Sequence, residues 1–522
     1  MKNSEIEAAW AYHNRTKHSY QSIRTSGHYL DWENQPILFK IYSELEPIPL
    51  SQKLPSSGMP ALQAVSAAAP LADNPVMPTS QLLAEICFLS AGITRRRSYP
   101  GGEILFRAAA CTGALYHIDL YLVCGDLPDM EAGVYHFAPQ DFALRRLRRG
   151  DYRGVLARAG GGEPSVVNAP CVIVCASTYW RNAWKYQARA YRHCYWDNGT
   201  ILANLLATAA TRNVPARVLV GFVDATVNQL LGLDSNREAP VSIISLGSGS
   251  PETPEPSPPI ESLTFETLPL SKTEVDYPEM RAMHEASSLE SDEEVAPWRR
   301  EAERNAGRSK VVGAKEGRLF PLRPLDDGEI PRDTIEDVVM RRGSTRQFSR
   351  EPISFTELST MLDRATRGIS ADFLSQTEPS LNDLYLIVHA VEDLPSGAYY
   401  FRREERALEL LKEGDFRREA GHLGLGQEIP ADCSVDVFFL ADLSRTLERF
   451  GNRGYRAAQL DAAIMGGKLY LSAYALGLGA SGLTFFDDDV TDFFSPHAAG
   501  KSVMFLIALG KSAKRKKGLN VL

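Results

Sequence analysis

The sequence predicts an α+β protein made of two tandem domains, each a central mixed or antiparallel sheet flanked by helices, paired as an intramolecular pseudo-dimer. Three observations carry that expectation. First, the chain repeats itself at one long offset. Leu120-Tyr121-Leu122-Val123 returns as Leu384-Tyr385-Leu386-Ile387, Gly133-Val134-Tyr135-His136-Phe137 as Gly397-Ala398-Tyr399-Tyr400-Phe401, and Arg189-Ala190-Tyr191-Arg192 as Arg453-Gly454-Tyr455-Arg456. Each pair is 264 positions apart (384 minus 120, 397 minus 133, 453 minus 189). A period this long marks a repeated domain, not a solenoid. Second, helical and strand patterns alternate in the same order in both halves. Third, neither half carries GxGxxG after an opening strand, which disfavours a doubly wound nucleotide fold.

The elements follow in order. In the first half a helix is expected over 81–90, with strands at 120–124, 133–137 and 171–176. Helices over 181–193 and 199–211 and a strand at 241–246 complete it. In the second half Phe355–Ala365 has apolar residues at helical spacing and Gly368 would close the helix. Strands are expected at 384–391, 397–401 and 435–440, then a long helix over 455–476 and a strand at 503–509. The proline-rich run Ser248–Pro259 reads as a linker. The expected units are residues 8–250, a linker over 251–282, and residues 283–522. The segment Met283–Ser287 echoes Tyr12–Thr16, and the charged stretch 288–307 reads as mobile or helical surface.

Composition bounds the function. The 522 residues are 44% hydrophobic and 23% charged, ordinary for a globular protein. A net charge of −8 argues against a broad nucleic-acid surface, apart from the basic tail Lys511–Lys517. No apolar run reaches membrane-span length and the first residues lack a signal-peptide pattern. Seven scattered cysteines suit a reducing, cytoplasmic setting. Cys171 and Cys175 sit in a buried-strand pattern, and no metal site is expected.

Differences between the halves point to a site. Only the second half has Arg342-Gly343-Ser344-Thr345-Arg346, a pattern of guanidinium and hydroxyl donors suited to a phosphate. Its helix-based counterpart is Ser66–Pro70, with no basic group. Only the second half has Gly477-Leu478-Gly479-Ala480-Ser481-Gly482, where glycines let backbone N–H groups approach a ligand. The first half has Arg212–Val218 there. Conversely, only the first half has the loop Cys111-Thr112-Gly113-Ala114 before a strand, and only it has Lys185-Tyr186. The second half has Arg449-Phe450, which cannot exchange protons. The alternating losses predict one composite site at the interface. Arg189, Tyr191 and Arg192 persist in both halves and are assigned to fold or interface. His193 and Cys194 are assigned to packing, and Asp487-Asp488-Asp489 to a solvated turn.

Arg342–Arg346, Ala110–Val123 and Trp184–His193 resemble the flavin-dependent nitroreductase superfamily, and more closely its SagB-type dehydrogenases, which oxidise thiazolines and oxazolines in peptides. The family pattern before the strand is close to RxxPSAGALYPxExYxV. This chain departs from it at Ala110 for Pro, Cys111 for Ser, His117 for Pro and Asp119 for Glu. The resemblance implies FMN held by Arg342, Ser344, Arg346 and Gly479, Ala480, Ser481, Gly482 of the second half, with Cys111, Thr112, Gly113 and Ala114 of the first. Lys511 would complete the phosphate site. It implies Lys185 and Tyr186 as catalytic residues, with the Lys185 ammonium favouring a Tyr186 phenolate that acts as base. The mirror-image site is expected to be empty.

The resemblance further implies an FMN-dependent dehydrogenase acting on a peptide azoline or related small molecule, with other peptide-modifying enzymes as partners. The chain would be a monomer or pair further. An NAD(P)H-dependent reductase of nitro compounds or quinones, and a flavin-free binding or scaffold protein, are the alternatives.

Overall fold

The computed structural model describes residues 2–67, 76–100, 102–249, 257–303 and 317–513. The first half contributes β1 (Pro47–Pro49), β2 (Ile93–Tyr99), β3 (Gly102–Arg107), β4 (Ile118–Cys124), β5 (Gly133–Ala138), β6 (Ala143–Arg149), β7 (Cys171–Thr178), β8 (Ala216–Leu219) and β9 (Glu238–Leu246). The second contributes β10 (Leu319–Pro321), β11 (Asn382–Val388), β12 (Gly397–Arg402), β13 (Ala407–Glu413), β14 (Val435–Ala441), β15 (Gly479–Leu483) and β16 (Ser502–Gly510). Fourteen of them form two seven-stranded sheets, β1-β6-β5-β4-β7-β9-β8 and β10-β13-β12-β11-β14-β16-β15, and β2 and β3 pair as a separate hairpin. All pairings in both are antiparallel. The central strands are continuous apolar runs because helices cover both faces; every residue of β4, β7 and β14 is buried.

The expected helix Phe355–Ala365 forms with those bounds, capped by Ser354 and Glu357. Other expectations need correction. Helices over 181–193 and 199–211 are instead Tyr179–Tyr186 and one long helix, Ala190–Thr211. The break falls at Gln187, whose φ is 51°. The strand over 384–391 ends at Val388. The hairpin β2–β3 occurs only in the first half. The change in local offset between the halves, from 276 to 264, reflects that insertion. The proposed linker's described part is not a free tether: Ile37 N–H donates to the Leu270 carbonyl (2.8 Å), Leu268 N–H donates to the Ile41 carbonyl (3.0 Å), and a helix begins at Pro278. Residues 250–256, 304–307 and 514–517, which carry parts of the linker, charged-stretch and basic-tail expectations, lie outside the described residues, as do 68–70 of the Ser66–Pro70 counterpart. Among the described residues no helix is long and apolar enough to cross a membrane.

The halves meet along Ala190–Thr211 and Arg453–Ala475. These helices approach so closely that a Cβ on Gly199 would lie 2.4 Å from the Ala463 Cβ. Trp196 Nε1 donates to Gln459 Oε1 across the seam at 2.5 Å.

Two buried ionic clusters flank this contact and mirror one another. Asp487 of the second half accepts Arg189 Nη1 (2.9 Å) and Arg192 Nη1 (2.5 Å) of the first. Asp224 of the first half accepts Arg453 Nη1 and Arg456 Nη1 of the second, both at 2.6 Å. The persistent arginines are thus interface residues. Asp487 does not sit in a solvated turn; it is buried in the first turn of helix Asp487–Phe494. Each cluster also binds a helical arm: Arg192 Nη2 donates to the His13 carbonyl (2.8 Å) and Arg456 Nη2 to the His284 carbonyl (2.7 Å). The echo between Tyr12–Thr16 and Met283–Ser287 therefore has a structural meaning.

Burial opposes ionisation of Asp224, but Arg453 and Arg456 overcome it and hold the carboxyl down at about 2. Removing the acid strands two buried guanidinium groups. Asp224→Asn is expected to destabilise the protein by about 3–5 kcal/mol, the range for breaking one side of a buried ion pair, read as a lowered denaturation midpoint. Burial, then Arg456, push His284 down to about 3 from 6.5. Its contribution is complete above pH 6.5 and is lost as pH falls from 6.5 towards 3, because the unfolded chain binds the proton first. The thermal midpoint should fall across that window, and less steeply in His284→Gln.

Candidate functional site

The site is built where the loop after β3 in the first half faces the segment Arg342–Arg346 of the second. In that loop Gly113 and Ala114 both have left-handed backbones, with φ of 64° and 55°. A Cβ on Gly113 would lie 2.9 Å from the Tyr186 Oη, so only glycine lets the loop lie against the phenol. The loop is anchored by Asp197, a residue the sequence analysis did not single out. Asp197 Oδ1 accepts Thr112 N–H (2.9 Å) and Thr112 Oγ1 (2.6 Å); Oδ2 accepts the Cys111 thiol (3.0 Å). His117 Nε2 lies 2.9 Å from the same Oδ2, and His117 Nδ1 2.8 Å from Ser177 Oγ. The departures from the family pattern therefore fit together: Cys111 and His117 both address Asp197, while Asp119 pairs with Arg181 (2.7 Å). The signal available in sequence was the offset. Asp461 stands 264 positions on and anchors the corresponding loop through Ser380, Leu381 and Asn382.

On the opposite wall, Thr345 N–H donates to the Ala480 carbonyl (2.9 Å), and Ser349 N–H to the Lys511 carbonyl (2.9 Å). These bonds lay the segment along β15 and the end of β16. Ser344 Oγ lies 3.3 Å from the Tyr470 Oη. Arg342 has a different job from a simple phosphate ligand: Nε and Nη2 donate to the carbonyls of Ala108 (2.8 Å) and Arg107 (3.0 Å). It ties the two walls together. Ser344 and Arg346 are exposed.

The glycine-rich run is an edge strand, not a loop. Gly479 serves packing, since a Cβ there would lie 2.2 Å from Thr345 Oγ1. Gly482 N–H is donated to the Tyr470 hydroxyl. Ser481 Oγ and Thr484 Oγ1 are buried and have no partner.

Lys185 and Tyr186 end helix Tyr179–Tyr186, with Lys185 Nζ 5.4 Å from the Tyr186 ring centroid. The His193 ring meets Tyr186 edge-on at 4.6 Å. Arg346 of the second half acts electrostatically on both: burial, then Arg346, lower the Lys185 amine. Burial first, then Asp197 and Cys111, push the Tyr186 phenol up, with Arg346 opposing. This overturns the expected phenolate. The ammonium lies over the ring face, away from any role in offsetting the buried carboxylate, so Tyr186 rests as a neutral phenol.

His193 and Cys194 are packed as expected, on Asn182 (2.7 Å) and Ser177 (3.2 Å). One group of metal-ligand type, His389, Cys433 and Asp436, is buried among the described residues, with His389 Nε2 3.0 Å from Asp436 Oδ2. It offers three donors and no fourth side chain.

At the mirror position a segment of the chain runs along the edge strand β8. Ser370–Asp372 lies along β8: Val218 N–H donates to the Ser370 carbonyl (2.9 Å), and Asp372 accepts Val220 N–H and Gly221 N–H, each at 2.9 Å. Glu378 and Arg449, the counterparts of Ala114 and Lys185 at the 264-residue offset, form an ion pair there.

The profile of the nitroreductase family matches residues 107–248 and 339–511, and the chain belongs to that family. A predicted nitroreductase of Methanocaldococcus jannaschii is 25% identical over 170 residues, 31% of this chain and 85% of that protein. The crystal structure of a predicted nitroreductase from Anabaena variabilis superposes with a TM-score of 0.74 at 25% identity, covering 97% of this chain and 99% of that one. A chain of the Escherichia coli microcin synthetase McbBCD complex gives a TM-score of 0.30 at 19% identity, over 48% of this chain and 95% of that one.

The residues present fit a flavin mononucleotide. Arg346 and the Lys511 side chain form no hydrogen bond or ion pair among the described residues, which leaves two cations for a phosphate. The unpartnered Ser481 hydroxyl lies on β15, the strand whose Ala480 carbonyl accepts Thr345 N–H of the Arg342–Arg346 segment.

Asp197 both raises the Cys111 thiol and holds it in the loop. Burial is the larger cause of the raised thiol and Asp197 the second, so Asp197→Ala should lower that thiol's pKa and free the loop, and Cys111 alkylation in the folded protein should accelerate. Mass mapping of the labelled cysteine checks it, because the other six cysteines are buried.

Proposed function

We propose that this cleft binds one FMN per chain and that the protein is a dehydrogenase of SagB type, oxidising an azoline in a peptide or a related small molecule. The observation that supports it best is the pair of hydrogen bonds from Arg342, in the second half, to the Ala108 and Arg107 carbonyls of the first, which brings the segment carrying Arg346 against the half that carries Lys185 and Tyr186. A phosphate grip and a proton-handling pair meet only because the halves are joined. Ser344, Arg346 and Lys511 would hold the phosphate, with Arg342 positioning that segment. Gly479–Gly482 and Cys111–Ala114 would line the ring system from opposite sides.

Bound FMN supplies two-electron acceptance from the substrate carbon. The chain's own task is to move the Cα proton. Lys185 suits the base, because burial and Arg346 both favour its neutral amine. Tyr186, held neutral, donates a hydrogen bond to the substrate and fixes its orientation. A phenol that keeps its proton also favours a second reading, reduction of a nitro compound or quinone by NAD(P)H, in which Tyr186 donates the proton. Rapid bleaching of the bound flavin by NAD(P)H, without an azoline substrate, would select that reading.

Flavin content decides the first step. Purified protein incubated with FMN and freed of excess should hold about one equivalent, judged by its visible spectrum, and Arg346→Ala should hold little. Two equivalents per chain would remove the asymmetric assignment, and none would remove the enzyme. In the loaded protein, azoline oxidation should rise with pH through an apparent pKa below the ordinary lysine value of 10.5. Lys185→Arg should lower kcat by about 10²-fold or more and abolish that rise.

A further inference from the structure

Where β11 ends and β14 begins, the second half buries three polar side chains that the fold does not require. His389 follows β11, while Cys433 and Asp436 stand at the start of β14. Ile387 is the register partner of Asp436, and His389 N–H donates to the Ser434 carbonyl (2.9 Å). His389 and Asp436 are therefore diagonal neighbours on one face of the sheet. Cys433 joins them from the end of helix Glu428–Asp432. His389 Nε2 lies 3.0 Å from Asp436 Oδ2, and one donor atom from each of the three residues falls within 4.8 Å of the other two.

The first half builds the same corner without them. Gly125 N–H donates to the Pro170 carbonyl (3.1 Å), the counterpart of the bond from His389. At the 264-residue offset His389, Cys433 and Asp436 become Gly125, Ala169 and Val172. The flanking arginines correspond as well: Arg153 Nη1 donates to the Ala169 carbonyl (3.0 Å) and Arg417 Nη1 to the Cys433 carbonyl (3.2 Å). Glycine, alanine and valine thus suffice for the backbone. Buried polar groups cost free energy unless each is satisfied, and two atoms of this cluster are not. Asp436 Oδ1 and His389 Nδ1 are buried without a hydrogen-bond partner. Among the described residues the Asp436 carboxylate has only His389 as an ion-pair partner.

We propose that His389, Cys433 and Asp436 bind one zinc ion. A thiolate and a carboxylate balance the charge of the dication, and a neutral imidazole adds none. Sulfur, nitrogen and oxygen donors together suit zinc, whereas magnesium and calcium take oxygen alone. The fourth donor is the Pro430 carbonyl, in the last turn of helix Glu428–Asp432 and 3.3 Å from Cys433 Sγ. At ordinary bond lengths the ligand atoms of a tetrahedral zinc stand roughly 3.3–3.8 Å apart, so the cluster closes by movements of about 1 Å. Binding releases the thiol proton to solvent. Cys433 packs with Phe348 and Ala508 in a small buried cluster, and Phe348 lies two residues after Arg346. An ion held by Cys433 therefore braces the chain just beyond Arg346.

The test uses the full-length protein, stripped with a chelator, incubated with zinc and desalted. Metal analysis should find about one zinc per chain in the wild type. It should find none in the triple variant His389→Gly, Cys433→Ala, Asp436→Val, which carries the first half's residues. Zinc should raise the thermal midpoint of the wild type and leave that of the triple variant unchanged. Cobalt in place of zinc should add a thiolate-to-metal band to the difference spectrum, and Cys433→Ser should abolish it. Failure of the stripped wild type to take up zinc overturns the proposal. So does equal retention by wild type and triple variant, which puts the metal elsewhere. Should the triple variant not fold, Cys433→Ala alone is read by the same metal analysis, and full retention of zinc there overturns the proposal. None of these readouts involves FMN, so this inference stands or falls separately from the proposed function.

Discussion

The structure depends on a crossed pair of buried carboxylates. Asp224 serves the arginines of the second half and Asp487 those of the first. An isolated buried pair of this kind gives little net stability, since desolvation offsets the attraction. Its value is in specifying one arrangement. Neither half can satisfy its own arginines, because each acid begins a helix on the opposite side of the seam. Sliding one long helix past the other would leave four guanidinium groups and two carboxylates unmatched. That sets the register between the loop at Gly113 and the segment at Arg346, and the candidate site exists only in that register.

The same clusters fix where the arms enter. Arg192 and Arg456 each hold a carbonyl at the end of an arm helix, and each aspartate takes a backbone N–H just beyond it. The arms thus reach the two pseudo-equivalent clefts from fixed points. What differs is the residues at paired positions: glycine at 161 and 221, leucine and threonine at 425 and 484. The asymmetry is sharpened by Asp372, whose carboxylate spans two N–H groups beside β8, while its counterpart at the 264-residue offset is Ala108.

Much of this was legible in the sequence, and the limits have physical causes. The constant offset exposed the paired architecture, and the alternating losses pointed to the two segments that form the walls of the candidate site. Apolar strand runs were readable because the central strands are buried on both faces. Strands near the sheet margin were missed: β6, Ala143–Arg149, between the edge strand β1 and β5, carries four arginines, and one of its two pairings is with the distant β1. The break at Gln187 was missed because its left-handed backbone is imposed by tertiary contacts and not by a glycine. Asp487 was misread because a run of three acids normally faces solvent. The two arginines that bury it lie almost 300 positions earlier in sequence. Asp197 was overlooked although its twin, Asp461, stood at the expected offset, because no motif names a carboxylate that holds a loop rather than a ligand.

The sequence also misassigned the chemistry of the Lys185–Tyr186 pair, and the reason bears on how the site works. Adjacent residues on one helix turn do not bring ammonium and phenol oxygen together. The amine lies over the ring face, while the hydroxyl faces the Gly113 loop and the field of Asp197 and Cys111. The carboxylate that anchors the Gly113 loop therefore adds to burial, the larger cause, in raising the phenol. Arg346 opposes that effect at Tyr186 and reinforces desolvation at Lys185. A phosphate paired with Arg346 would screen its charge at both residues. Loading the cofactor would then raise the lysine amine and the phenol together. On the proposed function, proton handling in the first half would be coupled to occupancy of a phosphate grip in the second, through one exposed guanidinium, that of Arg346.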